Sequence, residues 1–171
     1  MFSHIRSRKK RRMIYFFTII ILVLIVIAFY FFYVYTKALN VLTTEGFIHM
    51  NIEKMITIGQ LTAVQLKSGC YELSFYISLD QANAISEGMS NTTKPRPMTH
   101  DVFVDVMEGF DINPILVKIT KLSDNTYFAE LIMQRWNKFL IVDIRPSDAL
   151  AIAVRTNTPI YVNEKLTTKV C

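Results

Sequence analysis

The sequence predicts an α+β fold, a compact mixed or antiparallel sheet with about three helices, preceded by one transmembrane helix. Three observations lead there. The run from Met13 to Tyr35 holds no charged residue and is almost entirely Ile, Leu, Val, Phe and Tyr. Beyond it, β-like runs come in groups instead of alternating strictly with helices, which favours α+β over a doubly wound sheet. Between those groups, short segments combine helix-start residues with apolar positions at helical spacing.

The first element is the apolar run. At ~1.5 Å per residue it reaches roughly 35 Å, enough to cross a hydrocarbon core about 30 Å thick with some tilt. Tyr15, Phe16 and Phe17 at one end, and Tyr30 to Tyr35 at the other, match the aromatic belts of membrane interfaces. A cleaved signal peptide would have a shorter apolar core and a small-residue exit, and Tyr35-Thr36-Lys37-Ala38 is a poor one. A core helix would not be apolar all round over this length.

Charge divides at the same place. Residues 1–12 carry Arg6, Arg8, Lys9, Lys10, Arg11 and Arg12 and no acid. The chain has 19 Lys and Arg against 14 Asp and Glu, so the remainder holds 13 basic against 14 acidic residues. The basic balance thus belongs to the tail, whose expected partner is membrane lipid: anionic headgroups attract each basic residue by ~1 kcal/mol. The positive-inside rule then puts the N-terminus in the cytoplasm and the domain on the periplasmic or extracytoplasmic side. The near-neutral remainder does not announce a non-specific nucleic-acid binder. Cys70 and Cys171 have no zinc-type spacing. An oxidising compartment would permit a disulfide, but their separation leaves pairing open, and the plainer reading is a half-buried Cys70 with a free terminal thiol.

The segments read as a basic tail over 1–12, a span over 13–35, a connector over 36–45 and a domain over 46–171. Strand-like residues run from Phe47 to Ile58, Leu61 to Leu66 and Tyr71 to Ile77, with Gly59-Gln60 and Lys67-Ser68-Gly69-Cys70 as turns. Asp80 suits the N-cap of a helix over Gln81–Met89, with Ala82, Ile85 and Met89 facing the core. A proline loop follows to Met98. Thr99 suits the cap of a helix over His100–Glu108 whose buried face is Phe103, Val106, Met107 and Phe110. Asp101, Asp105 and Glu108 form an acidic stripe, read as a solvated face. Three more strands are expected over Ile115–Leu122, Tyr127–Gln134 and Phe139–Ile144, then a helix with Pro146 in its first turn and a last strand at Pro159–Val162.

Two polar clusters stand at helix starts. Lys94-Pro95-Arg96-Pro97-Met98-Thr99-His100-Asp101 feeds one helix, and Asp143-Ile144-Arg145-Pro146-Ser147-Asp148 crosses from a strand into another. Helix N-termini favour anions, so Arg, His and backbone N–H groups there suit a phosphate. The same residues also serve as caps, dipole partners and ion pairs, and spacing alone leaves both readings open.

At these clusters the chain resembles the bifunctional nuclease domain family over about Met50 to Glu164. Arg96-Pro97-Met98-Thr99-His100-Asp101 looks like that family's R-P-x-T-H-D, and Asp143-Ile144-Arg145-Pro146-Ser147-Asp148-Ala149 looks like its D-A-R-P-S-D-A. Ala82-Asn83-Ala84-Ile85 is similar to its E-A-x-A-I stretch, with Gln81 where the glutamate is expected. Ser78 and Ile144 also replace the glycine and alanine of the pattern. The resemblance implies a nuclease acting on DNA and RNA, with His100, Asp101, Asp143, Ser147 and Asp148 as catalytic candidates. It makes Arg96 and Arg145 phosphate-binding candidates. Asp143 and Asp148 are candidates to hold a divalent cation such as Mg2+, which prefers carboxylate oxygens. The alternative is a non-catalytic anion-binding or assembly module on the same fold. Nucleic acid or another phosphate-bearing molecule, and a homo-oligomeric partner, are the expected partners beyond the membrane.

Overall fold

The computed structural model describes residues 2–90 and 95–171, without the side chains of 2–12, 37, 38 and 40. The chain divides into two compact units, residues 1–43 and 44–171. The first is one helix, α1 (Phe2–Leu42). Helix therefore continues through the expected tail and most of the expected connector, because no Gly or Pro interrupts residues 2–42. Within it, Met13–Thr36 is long and apolar enough to cross a membrane, with mean hydropathy 2.9.

The second unit is an eight-stranded mixed sheet with three helices. Its strands are β1 (Phe47–Ile58), β2 (Leu61–Ser68), β3 (Tyr71–Ser78), β4 (Asn113–Ser123), β5 (Thr126–Arg135), β6 (Lys138–Ile144), β7 (Ile160–Asn163) and β8 (Thr168–Lys169). Their order is β6-β5-β4-β7-β1-β2-β3-β8. Among the described residues only the β4–β7 pair is parallel. That pair joins two hairpin groups, and the crossover between its strands carries β5, β6 and a helix. The β4–β5 turn is Asp124-Asn125, both at positive φ (49° and 58°). Asp and Asn tolerate that conformation, and the mirror-image turn it makes matches the twist of the flanking strands.

The helices are α2 (Leu79–Ser90), α3 (Thr99–Gly109) and α4 (Pro146–Thr156). α4 packs on α2, α3, β4 and β5, and α2 packs on β2 and β3. The rings of Phe75 in β3 and Tyr127 in β5 lie 5.4 Å apart, though four strands separate them in the sheet. The sheet therefore curls, and α4 lies in its hollow with Ala149 to Ala153 all buried. The core faces this helix: Met50, Val64, Leu66, Val117, Ile119, Leu131 and Val162 from the strands meet Ile85 and Leu150. Each such side chain, fully buried, stabilises the fold by about 1.5–3 kcal/mol. Gly88 of α2 touches α4 so closely that a Cβ there would come within 2.6 Å of Val154 and Arg155.

Three expectations are corrected. Met89 is 52% exposed, because α2 docks by Ala82, Ile85 and Gly88. On α3 only Met107 is buried, while Phe103, Val106 and Phe110 are exposed. That helix reaches α4 through the stripe holding Asp101, Val104 and Met107, which turns the other apolar residues outward. Finally, Cys70 and Cys171 form a disulfide with Cα atoms 5.3 Å apart. The reason is register. β8 pairs with β3 as Tyr71↔Lys169, and Val170 donates its N–H to the Cys70 carbonyl at 2.8 Å, which carries the terminal residue to Cys70.

Candidate functional site

The site forms where the first turns of α3 and α4 meet. β6 ends at Ile144, and Arg145 holds an extended conformation (φ −67°, ψ 142°) that starts α4. Pro146 takes the first helical position, where its missing N–H goes unneeded. Asp148 then falls in the first turn, where a carboxylate also complements the helix dipole. Packing of α3 against α4 brings His100 to it. The ring Nε2–H of His100 donates to Asp148 Oδ1 at 3.3 Å, and Arg145 Nε donates to Asp148 Oδ2 at 2.7 Å. The His100 and Asp148 side chains are about a fifth exposed (21% and 22%), and that of Arg145 is 73% exposed. Asp148 thus orients an imidazole on one oxygen and a guanidinium on the other. The imidazole keeps its second nitrogen, and the guanidinium keeps its terminal N–H donors.

Asp101 is placed differently from Asp148. Its Oδ2 accepts the Met98 backbone N–H at 2.7 Å, closing the start of α3 in place of the expected Thr99 cap. Its Oδ1 accepts Arg155 Nε at 2.6 Å. The same Arg155 donates through Nη1 to the carbonyls of Ala84 (2.8 Å) and Ala151 (2.7 Å), and only 8% of its side chain is exposed. One guanidinium therefore ties α2, α3 and α4 together. Sequence reasoning missed Arg155. Its signal was an arginine in the last turn of a helix otherwise lined with alanine, opposite an aspartate three residues into another helix.

The other candidates spread out. Ser147 is 4% exposed at the start of α4. Arg96 is exposed in the loop before α3, and Lys94, which opens the motif, lies outside the described residues. Asp143 pairs with Glu130 across β5–β6, and Glu130 pairs with Lys118 across β4–β5. Side chains alternate along a strand. Asp143 therefore shares the sheet face of Lys118 and Glu130, opposite to Val142 and Ile144, which pack on the helix-side core. Burial lowers the Lys118 ammonium from its ordinary value, and the nearby Glu130 pulls it partly back. Among the described residues no three His, Cys, Asp or Glu side chains converge as a metal site would need. Both Asp148 oxygens are already engaged and Asp143 faces the other way, so these two carboxylates do not fit a shared cation.

Ser78 and Gln81 explain each other. The Ser78 N–H donates to Gln81 Oε1 at 2.9 Å, and the Gln81 N–H donates to Ser78 Oγ at 3.3 Å. This is a reciprocal capping box at the start of α2, and it replaces the expected Asp80 cap.

The model of the bifunctional nuclease domain matches residues 64–171, from within β2 to the last residue. An uncharacterized protein of Mycobacterium tuberculosis is 38% identical over 92 residues, 54% of this chain and 54% of its own. Bifunctional nuclease 1 of Arabidopsis thaliana is 35% identical over 81 residues, 46% of this chain and 25% of its own. Bifunctional nuclease 1 of Oryza sativa subsp. japonica is 30% identical over 81 residues, 46% of this chain and 24% of its own. The chain spans about half the length of the mycobacterial protein and about a quarter of the plant proteins.

Proposed function

The chain belongs to the bifunctional nuclease domain family, and from that premise we propose that it is a membrane-anchored nuclease hydrolysing phosphodiester bonds of DNA or RNA at His100, Asp148 and Arg145. The observation that carries the proposal is the single carboxylate of Asp148 holding both an imidazole and a guanidinium at the start of a helix. Hydrolysis needs a base for the attacking water, stabilised charge on the phosphoryl oxygens and a proton for the leaving oxygen. Because Asp148 holds the Nε2 proton, the other nitrogen of His100 is free to take a proton from water. Water oxygen bonds to phosphorus, the ester oxygen departs, and the imidazolium returns that proton to it. Arg145 offers its terminal N–H donors to two phosphoryl oxygens, a geometry suited to guanidinium. Arg96, exposed before α3, adds a second positive charge.

The anchor is α1, with its basic end in the cytoplasm and the domain outside. The Cys70–Cys171 disulfide supports that placement, because such bonds persist in oxidising compartments. Anionic lipid headgroups are the partner of the tail.

The test is cleavage of single-stranded DNA, duplex DNA and RNA by the full chain in detergent micelles, with magnesium, manganese or chelator. His100→Ala is expected to lower the rate by about 10²–10⁴, the usual contribution of a positioned acid–base group. Asp148→Asn, which loses the charge and one of the two acceptor oxygens, is expected to fall with it. Loss of cleavage in Asp143→Asn with His100→Ala still active would sink the proposal and move the chemistry to the far sheet face. Saturable phosphate binding without product, unchanged by folded variants, would establish an anion-binding module.

A further inference from the structure

A cavity of about 210 Å³ opens beside Arg145, between the end of β3, the start of α2, the β4–β5 turn and the start of α4. Tyr76, Gln81, Asn125, Tyr127, Arg145 and Ser147 line it. We propose that this cavity binds one unpaired nucleobase of the substrate, next to the phosphate held by Arg145, and so makes the site selective for single-stranded nucleic acid. The inference rests on the nuclease reading.

Size, walls and neighbours argue for it. Pockets for drug-sized ligands begin at about 300 Å³, so this one suits a single ring system. Its aromatic wall is fixed: the Tyr127 ring packs on Phe75 at 5.4 Å, which holds it in one orientation. Tyr76, on the opposite face of β3 from Phe75, borders the mouth of the cavity and is 72% exposed. Bases stack on such rings whatever their identity. Polar groups complete the lining where a base edge would point. Gln81 is held by the capping box through Oε1, and the Ser147 hydroxyl is nearly fully buried at the helix start. Asn125 sits in the turn at φ 58°.

The linkage to the chemistry is direct. Arg145 lines the cavity and also bonds Asp148, which holds His100. A base in the cavity would therefore set its own phosphate against the guanidinium and within reach of the imidazole. A base in a duplex is stacked and paired, and taking it out costs a few kcal/mol. A single strand avoids that cost.

The experiment compares adenosine 5′-monophosphate with ribose 5-phosphate, which has the phosphate and sugar without the base. Binding to the full chain in detergent micelles is measured by calorimetry, beside single-strand and duplex cleavage. The nucleotide is expected to bind roughly tenfold or more tightly than the sugar phosphate, the gain that one aromatic stack supplies. Tyr127→Leu is expected to erase most of that difference and leave ribose 5-phosphate binding unchanged. Leucine keeps an apolar side chain against Phe75, so the variant keeps its fold, and Tyr76→Ala at the exposed mouth gives a second reading. Equal binding of the two ligands, or a preference that survives both variants, would overturn the base pocket. If cleavage is present in that case, the nuclease reading stands without it. A base preference lost in Tyr127→Leu with no cleavage of any substrate would keep the pocket and end the nuclease reading.

Discussion

Replacing Arg155 by alanine tests how the site is held. Arg155 is 8% exposed at its side chain, bonds Asp101 at 2.6 Å and reaches two helix carbonyls. Removing one partner of a fully buried ion pair destabilises by about 3–5 kcal/mol, chiefly because a buried charge is left alone. Here the partner left behind is 34% exposed and keeps its bond from the Met98 N–H. Water can rehydrate it, so the expected loss falls to about 2 kcal/mol. For a domain of this size that corresponds to roughly 8 °C in Tm. Thermal unfolding of the full chain in detergent micelles, followed by near-ultraviolet circular dichroism of the domain's aromatic residues, reads it. Asp101→Asn and the double variant complete a cycle, whose coupling should be about 1 kcal/mol or more for groups in contact. A Tm within about 2 °C of the parent, well inside the ordinary surface-substitution range, would refute the clamp. So would single effects that simply add.

Gly88→Ala should destabilise by about 1–3 kcal/mol through overpacking, since its Cβ would press on Val154 and Arg155; urea midpoints measure it, and an unchanged midpoint means α2 and α4 can separate freely. Reducing the disulfide releases residues 101 apart, for which the chain-entropy treatment gives an upper figure of about 4.7 kcal/mol. A reductant should therefore lower the Tm of the parent and leave Cys70→Ser unmoved, whereas two titratable thiols in non-reduced protein would deny the bond. Lys118 supplies a pH signature. Its folded pKa lies below the 10.5 of the free group because burial disfavours the ammonium. Between those two values the unfolded chain binds more protons, so stability rises with pH across that interval, and below both values the burial penalty is fully present. Denaturant midpoints from pH 7 to about 10 should climb in the parent and less in Lys118→Met; equal slopes would remove Lys118 as the source.

The readable part of this chain was local. The apolar run, the Asp-Asn turn and the proline at the first position of α4 each depend on a few adjacent residues, and each lies where expected. The α+β class followed from the grouping of strand-like segments, and the sheet with its three helices bears it out. What failed depended on distant partners. Phe103, Val106 and Phe110 have helical spacing, but which stripe of α3 turns inward is decided by Asp101 reaching Arg155, 54 residues away. The Cys70–Cys171 bond depends on two residues of β8 pairing with β3, a strand too short to signal itself.

The candidate site shows the same division within its two motifs. Both place an aspartate in the first turn of a helix, and from the sequence Asp101 and Asp148 are equivalent. Their neighbours separate them. Asp101 meets a buried guanidinium and a backbone N–H, partners that hold helices together. Asp148 meets an imidazole with a second nitrogen to spare and a guanidinium that is mostly in water. A helix start accepts a carboxylate for either purpose, because the dipole and the unpaired N–H groups favour negative charge in both. Motif spacing therefore locates the place where an anion is favoured, while the exposure of the partner decides whether that place is structural or chemical. By that criterion the proposed chemistry belongs at Asp148, His100 and Arg145, and the clamp at Asp101 and Arg155 holds α3 where His100 meets Asp148.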